Sequence, residues 1–145
     1  YHVIQSVISV GSGGSLGKGL GQGSQSQLRF LPEQHTDFIF ASLSEELGLV
    51  GATLVLFLYA LLFYRIYIIS QQTTDTNCML VCLGILGMLM FQVFVNIGMN
   101  IGIAPVTGIT LPFMSYGGSS LLSLSLLLGI ISSISAQNRY NTYSV

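Results

Sequence analysis

Charge is what this sequence has least of. Only 6% of its 145 residues are charged, where a soluble globular domain carries roughly a quarter. The nine formal charges are Lys18, Arg29, Glu33, Asp37, Glu45, Glu46, Arg65, Asp75 and Arg139. None falls in the apolar runs 47–64, 78–95 or 121–134, so an ordinary soluble domain is excluded. A net charge of −1 excludes a nucleic-acid binder, which needs a basic face. The two cysteines, Cys78 and Cys82, cannot build a disulfide framework. Their spacing on an apolar helix marks them as small core residues rather than a metal site. The chain opens at Tyr1 with no methionine, basic n-region or cleavage-site pattern. The expectation is therefore the C-terminal part of a longer protein.

What is abundant is apolar length. Hydrophobic residues make up 51% and mean hydropathy is +0.74. About twenty residues at 1.5 Å each cross a bilayer core, and three stretches qualify. The first lies in a single long helix over 38–69, with Tyr59, Tyr64, Tyr67 and Arg65 toward its far end as interfacial anchors. The second covers about 77–96 and the third about 119–135, where Ser123, Ser125, Ser132 and Ser133 suit close helix packing. The predicted fold is all-α and membrane-embedded, the C-terminal part of a polytopic helical bundle. It consists of a Gly-rich extracytoplasmic loop over 1–36, with 1–10 open to being the end of a preceding helix. Spans at 37–69, 78–97 and 119–136 follow, with a cytoplasmic loop at 70–77 and a tail at 137–145. The segment 98–118 holds Pro105, Pro112 and five glycines. Such irregular backbone reaches membrane depth only when buried in protein or lining a cavity, so a partly re-entrant extracytoplasmic loop is expected. Arg65 and Arg139, close to helix ends, point the 70–77 loop and the C-terminus to the cytoplasm.

Candidate chemistry sits in the two loops on the other side. Residues 1–36 hold seven of the seventeen glycines. Neither a Walker loop nor a Gly-x-Gly-x-x-Gly register fits them, since Gly17-Lys18 is followed by Gly19. Backbone N–H groups with Lys18 could form an anion nest, or the loop could simply connect helices. Glu33 and Asp37, four residues apart, would share a helix face with Cβ atoms about 6 Å apart. They suit a divalent cation, or one carboxylate poised as a base, with His35 and Thr36 as nearby donors. Equally, they could only complement the helix dipole, worth about 0.3–1 kcal/mol per charge. Glu45 and Glu46 enter a span, where carboxylates face either a bundle interior or the interface. Gln92 and Asn96 read as interhelical hydrogen-bonding groups, and Gly98-Met-Asn-Ile-Gly102 as a weak packing motif.

Ordered strings carry the reading further. Gly11-Ser-Gly-Gly14, Gln25-Ser-Gln-Leu28, Phe30-Leu-Pro-Glu33 and His35-Thr-Asp-Phe-Ile-Phe-Ala41 come first. Glu45-Glu-Leu-Gly48, Asn96-Ile-Gly-Met99, Pro105-Val-Thr-Gly108 and Leu111-Pro-Phe-Met-Ser-Tyr-Gly-Gly-Ser-Ser120 follow in order. Together they resemble the C-terminal part of the SEDS family (shape, elongation, division and sporulation proteins), and Gln-Ser-Gln-Leu is closer to its RodA branch than to its FtsW branch.

The resemblance implies a peptidoglycan glycosyltransferase of about ten transmembrane helices in the bacterial cytoplasmic membrane. It would polymerise lipid II on the extracytoplasmic side beside a class B penicillin-binding protein transpeptidase. It also implies that Asp37, in the His-Thr-Asp-Phe string, is the essential acidic residue. Asp37 is then the candidate base, or with Glu33 a ligand for magnesium or manganese; no other cofactor is expected. Lys18, Glu33, Thr36, Asn100, Thr107, Ser115 and Tyr116 are the candidate substrate-binding or cavity-bracing residues. Two other roles use the same features: a lipid II transporter, and a non-catalytic scaffold for the partner enzyme.

Overall fold

The computed structural model describes Ile4, Val7, Ile8, Gly11, Gly14, Gly17 and residues 39–115 and 117–143. Asp37, Glu33, Thr36, Lys18, Arg29, His35 and Tyr116 lie outside those residues. The described part is helical: α1 spans Ile39–Gln72, α2 Thr76–Asn100 and α3 Gly118–Tyr143. Each contains a stretch long and apolar enough to cross a membrane.

All three helices run past their expected ends. Asp75 explains the start of α2: in extended conformation, it accepts a hydrogen bond from the Asn77 N–H at 3.1 Å. A side-chain oxygen in this role satisfies one orphan donor of the first turn, so 76 and 77 are helix rather than loop. At the other end, the Ile103 N–H bonds the Gly98 carbonyl (2.9 Å) and the Gly102 N–H bonds the Met99 carbonyl (3.2 Å). Those two bonds, with Gly102 at φ 79°, form a Schellman stop. The Gly98–Gly102 pair therefore ends a helix here rather than packing two together. In the N-terminal segment, Ile4, Val7, Ile8 and Gly11 are helical, the alternative that the sequence left open for residues 1–10, with Gly11 one residue beyond it.

The larger correction concerns α1, which is not one continuous helix. Gly48 sits inside it at φ 66°, ψ −158°, a region essentially reserved for glycine. The result is a short segment, 39–47, set at a break on a longer one, 49–72. In an unbroken helix the Leu49 N–H would bond the Glu45 carbonyl. Here it bonds the Gly14 carbonyl at 3.0 Å, so the glycine-rich segment caps the second half of α1.

The helices alternate in direction. The short 73–75 link makes α1 and α2 antiparallel neighbours. At that end the Asn138 side chain donates to the Gln72 carbonyl and ties α3 in. A cluster of Ile66, Cys82, Ile85, Leu89, Leu124 and Ile131 joins all three helices. A second, nearer the opposite end, contains Phe40, Val55, Tyr59, Val93 and Leu111. Cys82 is buried in the first, as a small core residue should be, and Cys78 is half-buried. Outside these clusters the helices are apolar but exposed: Phe57, Leu122, Leu126 and Phe94 are all open, as a surface meant for lipid or further helices would be.

Leu89 is 1% exposed at the three-helix junction and Leu80 is 57% exposed. Leu89→Ala should therefore lower unfolding free energy by about 2–5 kcal/mol. Leu80→Ala should stay within about 0.5 kcal/mol of wild type. Thermal unfolding of the two variants in detergent compares them directly.

Candidate functional site

The site is built where the chain leaves regular helix. Between α2 and α3, residues 101–115 turn back toward the bundle, and two of their carbonyls meet side chains from the helices. Asn96, fully buried, donates from Nδ2 to the Ile109 carbonyl at 2.7 Å. Asn100, also fully buried, donates to the Asn96 carbonyl at 2.8 Å and to its Oδ1 at 3.2 Å. Tyr59 reaches across from α1 and donates its hydroxyl to the Pro112 carbonyl. Two sequence expectations change as a result. Tyr59 is 7% exposed and serves as an internal strut, not an interfacial anchor; Tyr64 and Tyr67 are exposed, as anchors would be. Asn96 bonds a loop carbonyl, an acceptor that the interhelical expectation did not include.

Within the loop, residues 111–115 close a tight turn. The Ser115 N–H donates to the Leu111 carbonyl at 3.1 Å, and the Leu111 N–H donates to Ser115 Oγ at 2.8 Å. Phe113 sits in this turn at φ 65°, a left-handed conformation that costs a side-chain-bearing residue about 1–2 kcal/mol. Pinning from both sides, at Ile109 and Pro112, holds it there.

A cavity of about 730 Å³ opens beside the turn, lined by Ile39, Phe113, Met114, Ser115, Gly117, Gly118 and Leu121. Among the described residues the lining is mostly apolar, with Ser115 and the first turn of α3 as the polar contribution. Its volume is that of a small-molecule pocket. Ile39, the first residue of α1, lines it, and Asp37 lies two residues earlier in the sequence. The short segment that follows is polar on its inner side: Ser44 and Glu45 are buried, Glu45 completely. The Ser42 and Ser44 hydroxyls have no hydrogen-bond partner among the described residues. Glu45 is thus an interior carboxylate, while Glu46 is half-buried.

Of the candidate residues that are described, the structure places Ser115 on the cavity wall. Asn100 is a brace, fully buried behind Asn96. Thr107 is exposed and is not among the lining residues. Phe113, Met114 and Leu121 line the cavity without having been singled out. Phe113 and Met114 lie in the quoted Leu111–Ser120 string, but their apolar side chains carry no signal of a lining role, and Leu121 reads as part of the third span. Among the described residues no group of three or more His, Cys, Asp or Glu could hold a metal; the candidate ligands Asp37 and Glu33 lie outside them.

The sequence profile of the FtsW/RodA/SpoVE family, described as "Cell cycle protein", matches residues 1–140. The chain belongs to this family. It is 51% identical over 145 residues to the peptidoglycan glycosyltransferase MrdB of Escherichia coli, covering all of this chain and 39% of that protein. It is 48% identical over 140 residues to the stage V sporulation protein E of Bacillus subtilis, covering 97% of this chain and 38% of the relative. Among solved structures it resembles Thermus thermophilus rod shape determining protein RodA, with a TM-score of 0.69 at 39% identity, covering 82% of this chain and 38% of that one. A chain from a study of polymerisation and crosslinking by a peptidoglycan synthase complex gives a TM-score of 0.76 at 33% identity, over 93% of this chain and 37% of that one. The chain thus spans about two-fifths of the length of these relatives, and the all-helical membrane fold of the family is the one seen here.

The strut at Tyr59 can be tested alone. Tyr59→Phe keeps the ring and leaves the buried Pro112 carbonyl without its donor, a loss of about 1–3 kcal/mol. Amide hydrogen exchange over 109–115 should accelerate, with exchange over 79–90 unchanged.

Proposed function

We propose that this chain forms part of a peptidoglycan glycosyltransferase that polymerises lipid II on the extracytoplasmic face of the bacterial cytoplasmic membrane. The observation that carries the reading is the mostly apolar cavity at the start of α1, two residues after Asp37. A lipid-linked sugar needs an apolar wall and a polar reacting end in one place. Family membership and the name peptidoglycan glycosyltransferase borne by relatives such as MrdB support the same conclusion.

The reaction joins the C4 hydroxyl of one lipid-linked sugar to C1 of another, and undecaprenyl diphosphate leaves. Asp37 acts as general base, taking the hydroxyl proton as the new C–O bond forms and the C1–O bond to diphosphate breaks. The leaving diphosphate takes the displaced electron pair and needs positive charge or N–H donors near it. Lys18 and the backbone N–H groups of the glycine-rich loop are the candidates in this chain. Asp37 and Glu33 are the carboxylates that would hold magnesium or manganese, which would supply charge neutralisation at that diphosphate. A class B penicillin-binding protein transpeptidase is the proposed partner.

The break in α1 favours one competing reading. Discontinuous helices also build transporters, so a lipid II transporter would use the same segment as a gate. A scaffold would need neither the cavity nor Asp37. Glycan polymerisation from lipid II separates the three. It is assayed with a protein of the relatives' full length that contains this chain, with its partner and with magnesium or manganese. Wild type should make polymer, and Asp37→Asn should lose at least about a hundredfold, within the range of general-base contributions. Equal polymer from both would remove Asp37 from the chemistry. A folded wild type that makes none would favour transport or scaffolding.

A further inference from the structure

Three glycines meet at the break in α1, and their geometry goes beyond what a flexible connection requires. Gly14 (φ 57°) and Gly17 (φ 76°) in the glycine-rich segment and Gly48 (φ 66°) in the helix all lie where L side chains are strained. The Gly14 carbonyl accepts the Leu49 N–H at 3.0 Å. Gly17 lies so close to the helix that a Cβ there would stand 2.1 Å from the Glu46 carbonyl oxygen and 2.7 Å from the Leu47 carbonyl carbon. Those atoms are backbone, which cannot swing aside as a side-chain end can. Gly14 carries no such steric demand, since nothing lies within 4 Å of its Cβ position.

We propose that Gly17 and Gly48 are positioning residues. They form a side-chain-free clasp that sets the direction of segment 39–47, and with it the place of Asp37 relative to the cavity wall at 113–121. The inference rests on the proposed function for its activity readout, but its geometry stands alone. Segment 39–47 has one end at the clasp and the other, Ile39, on the cavity wall. Its direction therefore decides where the residues just before Ile39 emerge. A continuous helix through residue 48 would restore the bond from the Leu49 N–H to the Glu45 carbonyl, displace the Gly14 carbonyl and swing Ile39 off the wall.

Alanine at residue 48 is strained in the observed conformation, and moving segment 39–47 would expose Phe40, so Gly48→Ala should lower the melting temperature while the cluster around Leu89 keeps the protein folded. Gly84→Ala is the matched control, since Gly84 lies in α2 with nothing within 4 Å of its Cβ position.

The variants are made in a full-length protein containing this chain, with Cys78 and Cys82 replaced by alanine. Cysteines placed by Ile39→Cys and Leu121→Cys report, by bifunctional maleimide cross-linking, whether segment 39–47 still meets the cavity wall. In parallel, lipid II polymerisation is measured for each glycine variant without the added cysteines. Gly48→Ala and Gly17→Ala should lose the cross-link and lower kcat about a hundredfold, the scale of an ångström misplacement of a reacting group, with little change in KM. Gly84→Ala should keep both. Wild-type cross-linking in Gly48→Ala, or wild-type kcat, would overturn the clasp. If no protein polymerises lipid II, the glycosyltransferase reading fails while the cross-link still decides the clasp. A loss of kcat in Gly84→Ala as large as that in Gly48→Ala would also overturn it, since the effect would then not belong to the break.

Discussion

A peptide group that leaves regular helix in an apolar medium must find its hydrogen bonds elsewhere, and that requirement organises this molecule. It is met by designated partners at two places. At the break in α1 the Leu49 N–H is taken by the Gly14 carbonyl. Between α2 and α3 the Ile109 and Pro112 carbonyls are taken by Asn96 and Tyr59. Each bond ties an irregular segment to a helix, so satisfying the backbone also fixes where the irregular segments lie.

From this the site follows. The turn at 111–115 is held on one side by α1 and on the other by α2, so its side chains are presented to the cavity in a fixed arrangement. Leu111 is buried in the same apolar cluster as Phe40, Val55, Tyr59 and Val93, which links the turn to the packing between α1 and α2. The opposite end is held differently, by the Asp75 cap and the Asn138 bond to Gln72, and the cluster around Leu89 sits between the two ends. The irregular, glycine- and proline-rich end thus rests on a regular helical one.

The sequence displayed the membrane class and three spans because these depend on composition summed over long windows, which no single residue can reverse. It also displayed the family, since the strings from Gly11 to Ser120 recur in order. Local geometry was less visible. Gly48 lies in an apolar run where a glycine reads as a small helix penalty; the break shows only in its backbone geometry, in the Leu49 bond to Gly14 and in the approach of Gly17 to Glu46 and Leu47. Tyr59 carries the same residue type as Tyr64 and Tyr67, and nothing but the position of the Pro112 carbonyl distinguishes a strut from an anchor. Asn100 and Ser115 both stood out as polar groups in an apolar setting, yet one braces from behind and the other lines the wall. Both are buried, and only their positions relative to the cavity, a property of the packed chain, decide between those roles.

In the proposed function the cavity beside the 111–115 turn receives a lipid-linked sugar substrate. Site-specific photo-crosslinking tests it most directly. A benzophenone amino acid replaces Met114, on the cavity wall, or Ser135, beside a separate groove between α1 and α3 lined also by Arg65 and Ile131. Each full-length protein is illuminated in membranes with fluorescent lipid II. The account predicts a labelled adduct at Met114 that unlabelled lipid II competes away, and none at Ser135. Equal labelling at both positions, or labelling at Ser135 alone, would contradict it.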